Sequence, residues 1–221
     1  MPFGYIGQNQ TKQQVKNSGV LSSFDISLLE NKGHAGGSLE FIAEQTADGT
    51  NATIDFLNIK EDVYNIHFLT YTNVGGTGAD YDSMYMRLFE GGVLESANVY
   101  QYGNQRIRAN GGTNEYRSTS STSIFMHYGG VSTHANQKIN AYAYFYNLGD
   151  VNKFSFVTNQ GSCIPSSSEA SIFSIVFGGT VLPQASVVDG IRIFNNQPTG
   201  ASNISDGSNF KLYGIKELWV I

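Results

Sequence analysis

The stretch NAYAYFYN, residues 140–147, decides the fold class of this 221-residue chain. Its side chains fall into two alternating sets, which are Tyr142, Tyr144 and Tyr146 in the first and Ala141, Ala143 and Phe145 in the second. A period of two is the signature of a β-strand, because successive side chains point to opposite faces of the sheet. Both sets are apolar or aromatic, so we expect a central strand that is covered on both faces.

The same period recurs on either side of this stretch. In VYNIHFLTY, residues 63–71, Tyr64, Ile66 and Phe68 share one face and His67 lies on the other. Further alternating runs include SLEFIAEQ, ATIDFLNI, YMRLFEGG, ANVYQYGN, SIFMHYGG, KFSFVTN, SIFSIVFGG and GIRIFNN. Glycine-rich pieces such as FEGG, HYGG and FGGT read as the punctuation between them. Many short strands with hardly any helical period predict an all-β fold, a β-sandwich of jelly-roll type, over residues 38–221.

The chain ends on the apolar run GSNFKLYGIKELWVI. Phe210 and Leu212 share one face of this run, and a bulge at Gly214 would shift the register so that Ile215 rejoins that face. A free terminus is usually frayed and polar. We therefore predict that the last segment is a strand tied into the sheet.

Both chain ends are predicted to make contacts. Residues 1–37 lack a regular period, and we interpret them as an attachment arm, with a disordered leader or a first strand as the alternatives. Its candidate anchors are Phe3, Tyr5 and Ile6. At the other end, Trp219 and Ile221 pack either at the rim of the sandwich or on a neighbouring subunit, and we assign them to a subunit contact.

The composition excludes several classes of function. The net charge is −5, from 13 basic and 18 acidic residues, which argues against a nucleic-acid partner because phosphate binding needs a basic surface. Only 14% of the residues are charged, against the usual quarter. No stretch is long and apolar enough for insertion into a membrane, and no signal peptide is evident, so we expect release by cell lysis. The single cysteine, Cys163, reads as a buried, inert thiol.

No motif for catalysis, metal or cofactor binding stands out. The four histidines, His34, His67, His127 and His134, have no metal-ligand spacing, and we interpret His67 and His127 as solvent-facing strand positions. Asp80 and Asp82 suit a polar turn better than a calcium site. Glycoside hydrolysis needs two carboxylates about 5 to 9 Å apart. Candidates for such a pair are Glu40, Glu44, Glu61, Asp62, Glu90 and Glu95. We expect no enzyme activity and no cofactor.

Several stretches together resemble small virion proteins of tailed phages that infect marine bacteria. They are SLEFIAEQTADGTNATIDFLNIKEDVYNIHFLTYTNV, MRLFEGGVLESANVYQYGNQ, AYFYNLGDVNKFSFVT, TVLPQASVVDGIRIFNN and FKLYGIKE, and they cover most of residues 38–217. The opening FGYIG also looks like the N-terminal signature of many such proteins. The resemblance implies a β-rich structural or fibre-like domain on the virion, with no catalytic residues. This chain continues past LYGIK with ELWVI.

Three functions compete at this point. The leading hypothesis is a virion structural protein, tail-associated or fibre-like, that docks by its arm to other virion proteins and displays the sandwich to a host receptor or glycan. The second is a capsid decoration protein, and the third is a polysaccharide-degrading tail enzyme. Because closed symmetry is the usual state of displayed proteins, we also predict a homotrimer.

Overall fold

The fold is built from β-strands alone in the part of the chain that the structure describes. A computed structural model describes residues 38–78, 82–164, 172–196 and 202–216. Its thirteen strands are β1 (Leu39–Thr46), β2 (Thr53–Leu57), β3 (Ile66–Val74), β4 (Asp82–Glu90), β5 (Val93–Leu94), β6 (Tyr100–Arg108), β7 (Thr113–Ser121), β8 (Ile124–Val131), β9 (Ile139–Tyr146), β10 (Phe154–Cys163), β11 (Ser174–Ala185), β12 (Val188–Asn196) and β13 (Asn209–Ile215).

The strands form two sheets that pack as a sandwich. The larger sheet has eight strands in the order β1-β13-β3-β9-β10-β11-β6-β7. The smaller sheet has five strands. Strands β2, β12 and β4 lie side by side in that order, and β5 and β8 both pair with β4. All pairs are antiparallel. The predicted all-β sandwich is confirmed.

The strand pairs are nested along the chain. The first strand pairs with the last, β2 with β12, β3 with β9 and β4 with β8. Rolling up one long antiparallel hairpin produces this nesting, and we interpret it as the order of a jelly roll. The remaining strands, β5 to β7 and β10 to β11, are additions to that scheme. Four of them extend the larger sheet beyond β9.

The core lies between the two sheets and is filled by alternate residues of facing strands. Strand β3 illustrates the alternation, because Leu69 and Tyr71 are fully buried whereas Ile66 and Phe68 are only half-buried. Fully buried partners from other strands include Met84, Met86, Leu88, Phe145, Ile191, Ile193, Phe210 and Leu212. Cys163 is buried in the same core, as predicted.

The two strand histidines contradict the sequence interpretation. His67 and His127 are both fully buried rather than solvent-facing. The Nε2 atom of His67 lies 2.9 Å from the carbonyl oxygen of Ile59, which satisfies one ring nitrogen inside the core. The prediction was wrong because the apolar residues next to His67, Ile66 and Phe68, lie on the outer face of β3 and not on the inner one. Tyr64, predicted to share their face, precedes β3 and is buried beside the His67 ring.

Strand β8 is held to the opposite sheet by two asparagines. The Asn104 side-chain amide donates to the carbonyl oxygen of Phe125 at 3.0 Å, and that of Asn159 donates to the carbonyl oxygen of Met126 at 3.0 Å. The pairing of β8 with β4 is irregular here, since Met84 pairs with His127 but Tyr85 pairs with Phe125. The asparagines thus donate hydrogen bonds to backbone carbonyl oxygens beside this irregularity, and these bonds tie the two sheets together.

The predicted terminal strand is confirmed, but its bulge is not. Strand β13 lies between β1 and β3, and Phe210 and Leu212 are fully buried. Gly214 is regularly paired with His67, and Ile215 lies on the opposite, outer face. A Cβ atom at Gly214 would lie 2.3 Å from the ring of Tyr64. The glycine therefore makes room for an aromatic ring and does not shift the register.

The terminal strand yields a stability prediction. Replacing the fully buried Leu212 with alanine should lower the free energy of unfolding by about 2 to 5 kcal/mol, because it leaves a cavity between the sheets. The matched control is Leu57→Ala at the end of β2, where the side chain is 57% exposed and the change should be within about 0.5 kcal/mol. Urea unfolding of both variants measures the difference. Equal effects would show that β13 does not contribute to the core as described.

The buried histidines yield a pH prediction. Burial lowers the pKa of His127 to about 4, with the positive charge of Arg106 as the second cause, and burial also lowers the pKa of His67. The unfolded chain, with histidine pKa values near 6.5, then binds more protons than the folded chain between pH 6.5 and 4. Stability should be full above pH 7 and fall as the pH drops through this window, by up to about 1.4 kcal/mol per pH unit for His127, and the lowered pKa of His67 adds a loss of the same sign.

Urea midpoints at pH 7.5, 6 and 5 provide the measurement. His127→Gln should flatten the pH dependence, whereas His134→Gln, at an exposed position between β8 and β9, should preserve it. A wild-type midpoint that does not change from pH 7.5 to 5 would contradict the prediction.

Candidate binding face

The outer face of the larger sheet is uncharged over five adjacent strands. Burial alternates along β3, β9, β10, β11 and β6, which separates an inner and an outer set of residues. The outer set comprises Ile66, Phe68, Thr70, Thr72, Asn140, Tyr142, Tyr144, Tyr146, Phe154, Phe156, Thr158, Gln160, Ser162, Ile175, Phe177, Gly179, Val181, Pro183, Gln101, Gly103, Gln105 and Ile107. We call this surface the uncharged face. Its lack of charge and its many aromatic rings distinguish it from an ordinary solvated sheet surface.

The strand register places one outer residue from each strand in a continuous row across the sheet. From β1 to β7 the row runs Phe41, Tyr213, Phe68, Tyr144, Thr158, Gly179, Gly103 and Arg117. The first four residues of the row are large rings, the next three are small, and the row ends at the charged Arg117. The outer surface of the larger sheet therefore has a raised part over β1, β13, β3 and β9 and a low part over β10, β11 and β6.

The raised part is a cluster of rings in mutual contact. The centroids of Phe68 and Tyr144 lie 4.7 Å apart, and those of Phe41 and Tyr213 lie 5.9 Å apart. Phe41 nevertheless remains 56% exposed, and Tyr142 remains 37% exposed. The expectation that the tyrosine stretch of β9 is covered on both faces was wrong, although β9 is central in its sheet. We call this cluster the aromatic ridge.

The low part forms a groove whose floor includes Gly103 and Gly179. These two glycines are paired directly across β6 and β11. One recess of ≈ 460 Å³ has Tyr146, Phe156 and Val181 among its lining residues, and a second of ≈ 310 Å³ is lined in part by Phe177. Both recesses include Gly103, so they adjoin one another. We call them together the glycine groove.

The fold itself does not require glycine at position 103. A Cβ atom placed there would meet nothing within 4 Å, and Gly103 is not among the residues with positive φ. Glycine inside a strand costs about 0.5 to 1 kcal/mol relative to alanine. A strand glycine without a packing role often marks a place where another molecule approaches the backbone. The depression at Gly103 is thus a feature of the outer surface that packing of the fold does not require.

Amide side chains and one ion pair border the groove. Gln101 and Gln105 flank Gly103 on β6, and among the described residues no side-chain hydrogen bond engages either amide. On the far side of β11, Gln160 accepts a hydrogen bond from the Tyr142 hydroxyl at 3.2 Å. At the β7 end, the exposed side chains of Glu115 and Arg117 lie 3.8 Å apart. The charged residues in the described lining of the groove are therefore two side chains of opposite sign.

The outer face of the smaller sheet differs in its charge. Arg192 there forms a two-point ion pair with Asp55, at 2.7 and 2.6 Å. Its guanidinium also lies over the Phe89 ring, and that of Arg87 lies over the Phe194 ring. Two aromatic rings on this sheet are thus covered by cations, whereas no cation of the described residues lies over a ring of the uncharged face.

The carboxylates considered for glycoside hydrolysis are dispersed. Glu40 is hydrogen-bonded by the Tyr64 hydroxyl and by Lys216, and the Lys216 bond is the main cause that lowers its pKa. Glu44 pairs with Lys211 at 3.5 Å. These two carboxylates therefore serve the β1–β13 edge of the sheet.

Glu90 and Glu95 do lie close to each other. With its amide nitrogen turned toward them, Gln184 donates to Glu90 at 2.8 Å and to Glu95 at 3.3 Å. Burial is the main cause that raises the pKa of Glu90; the Ser186 hydroxyl opposes this and the charge of Glu95 adds to it. The pair borders a separate recess of ≈ 360 Å³ at the β4–β5 hairpin, and neither residue lines the glycine groove.

Several predicted site residues lie outside the described part of the chain. They are the arm anchors Phe3, Tyr5 and Ile6, the contact residues Trp219 and Ile221, and Asp80; Asp82 lies in β4. Among the described residues, no group of three or more histidine, cysteine, aspartate or glutamate side chains could hold a metal ion. Over the same ranges, no helix has the length and apolar character needed to cross a membrane.

The residues of the groove were missed at the level of sequence. The sequence pattern predicts that FGGT separates two strands, but Gly178 and Gly179 lie in the middle of the twelve-residue strand β11. HYGG, for which the pattern predicts the same, lies within β8. The available signal was the apolar alternation on both sides of FGGT, which places Gly179 on the same face as Phe177 and Val181.

Comparisons with known proteins add little to this geometry. No protein-family model matches the chain, and no curated protein matches it. Among solved structures, the CBM2 module of the evolved Dit of Lactobacillus casei BL23 phage J-1 is similar at 13% identity and a TM-score of 0.23. That alignment covers 83% of this chain and 82% of the module. Because the TM-score is so low, the similarity carries no argument about fold or function.

Proposed function

We propose that this chain is a bacteriophage virion structural protein, tail-associated or fibre-like, that presents the uncharged face to a host receptor or glycan. The observation that supports this most is that face itself. Exposing apolar area to water forgoes about 25 cal/mol for each Å² that could be buried. Large exposed apolar surfaces on stable domains usually mark interaction sites. The resemblance of residues 38–217 to marine phage virion proteins supplies the context.

The attachment end of the proposal is the N-terminal segment. Residues 1–37 dock on another virion protein, with Phe3, Tyr5 and Ile6 as anchors, because aromatic and aliphatic anchors dominate the affinity of protein interfaces. In this arrangement the sandwich points away from the particle. A protein that cements capsid subunits would instead have its faces covered by neighbouring coat proteins, which would leave the uncharged face without a role in host recognition.

Particle composition tests this proposal. Quantitative mass spectrometry on purified particles of the encoding phage should detect the chain at far fewer copies than the major capsid protein, and immunogold labelling should place it at the tail. A variant with Phe3, Tyr5 and Ile6 changed to serine should be missing from particles yet melt at the same temperature in isolation. A copy number comparable with that of the capsid protein would favour decoration, and absence from particles would refute a virion role.

Assembly of the displayed protein is a separate prediction. We expect a homotrimer whose contacts include Trp219 and Ile221, since closed cyclic symmetry buries apolar residues of every copy at once. Light scattering on the purified chain should give three times the monomer mass, and Trp219→Ala with Ile221→Ser should reduce it. Val93→Ser, at an exposed apolar position of the β4–β5 hairpin, is the matched control and should stay trimeric. A monomeric wild type at micromolar concentration and on the particle would contradict the trimer.

A further inference from the structure

We propose that the glycine groove binds an uncharged polysaccharide chain laid across β10, β11 and β6. This inference deepens the display function proposed above and rests on it for its biological setting. The groove floor spans three neighbouring strands, which is about 10 Å between the outer two. Its direction across the strands follows the row of Thr158, Gly179 and Gly103. A floor of this length accommodates a short oligosaccharide segment.

The walls of the groove offer aromatic surfaces for sugar rings. Phe156 is 44% exposed and lines the groove together with Tyr146. Phe177 lies on the other side of the glycine row. Pyranose rings have an apolar face of C–H groups that packs on an aromatic ring, and tyrosine adds a hydroxyl at the edge. The groove thus provides apolar contact on both of its sides.

The polar groups at the groove match sugar hydroxyls. A side-chain amide has two donor hydrogens and one acceptor oxygen, so it can bond to two neighbouring hydroxyl groups at once. Gln101 and Gln105 are two residues to either side of Gly103 and therefore share its face of β6. Gln160 is oriented by the Tyr142 hydroxyl, which donates to its Oε1 atom. Amides placed around an apolar floor favour a ligand that is rich in hydroxyl groups.

The charges of the residues that line the groove indicate which class of polymer it binds. Among the described residues that line the two recesses, only Glu115 and Arg117 are charged, and these two form an ion pair. An anionic polysaccharide or a nucleic acid would require an excess of basic side chains. A charged peptide would have to desolvate its own charges against neutral walls at a cost. The neutral lining therefore fits an uncharged glycan best.

The glycine floor explains why the ligand can approach the sheet. A side chain at Gly103 would project into the space that the two recesses share. The missing side chain lets a sugar ring lie against the backbone between Phe156 and Phe177. Filling this position is accordingly the most direct way to test the assignment without disturbing the core.

Affinity electrophoresis of the full-length chain provides the experiment. Native gels contain dextran, laminarin, galactomannan, hydroxyethyl cellulose or the neutral fraction of host surface polysaccharide, with alginate and the acidic host fraction as charged counterparts. We expect at least one neutral polymer to retard the wild type. Gly103→Leu and Phe156→Ala should each weaken the retardation about tenfold or more, as expected for loss of a central contact.

Two matched controls separate binding from folding. Phe173→Ala removes a ring that is 49% exposed just before β11, outside the uncharged face and both recesses. Thr53→Leu adds bulk to the outer face of β2 in the smaller sheet. Both should keep wild-type retardation, and all four variants should keep the wild-type melting temperature within a few degrees.

Three outcomes would overturn the assignment. They are retardation by charged polymers only, no retardation by any polymer, and equal retardation of wild type, Gly103→Leu and Phe156→Ala. If no polymer binds and Gly103→Leu is also lost from particles, the groove holds a virion protein instead. Binding is measured on the isolated chain, so failure of the virion proposal would appear in the particle experiment and leave this result standing.

Discussion

The pairing of β13 between β1 and β3 is the constraint on which the rest of the structure depends. Seven consecutive residues of β13 pair with β3, and the same segment pairs with β1 on its other side. The last described strand thereby fixes the first. Because contacts between chain ends close the nested hairpin, segments from the middle of the chain are free to extend the larger sheet beyond β9 without interrupting its core.

That extension is where the candidate site lies. The glycine groove is floored by β10, β11 and β6, and none of these strands belongs to the nested pairs. The inner residues of the extension still contribute to packing, for instance Val157 and Leu182 in the core and Asn159, which holds β8. Its outer residues do not contribute to the core. The residues that line the groove can therefore suit a ligand, whereas the residues of the inner face must suit the packing between the two sheets.

Sequence patterns predicted the strands better than they predicted the faces. Period-two alternation identified β3, β9 and β13 because each strand keeps its two sets of residues distinct. It failed to orient β3, since Phe68 is as apolar as Leu69, and a neutral histidine such as His67 can be buried once its ring nitrogen meets the carbonyl of Ile59. The groove was missed for a related reason. Glycines within strands resemble turns in sequence, and only the register across β10, β11 and β6 shows that Gly179 and Gly103 adjoin.

The placement of charge separates the edges of the larger sheet from its face. At one edge, Glu40 and Glu44 of β1 are paired with lysines of the β13 segment, and at the other edge Glu115 and Arg117 of β7 are exposed. Charged side chains on edge strands oppose the addition of a further strand from another molecule. Edge-to-edge pairing between copies is thus disfavoured, even though the uncharged face between these edges carries many aromatic rings. Association through this sheet is directed to its face, where side chains rather than backbone hydrogen bonds determine what binds.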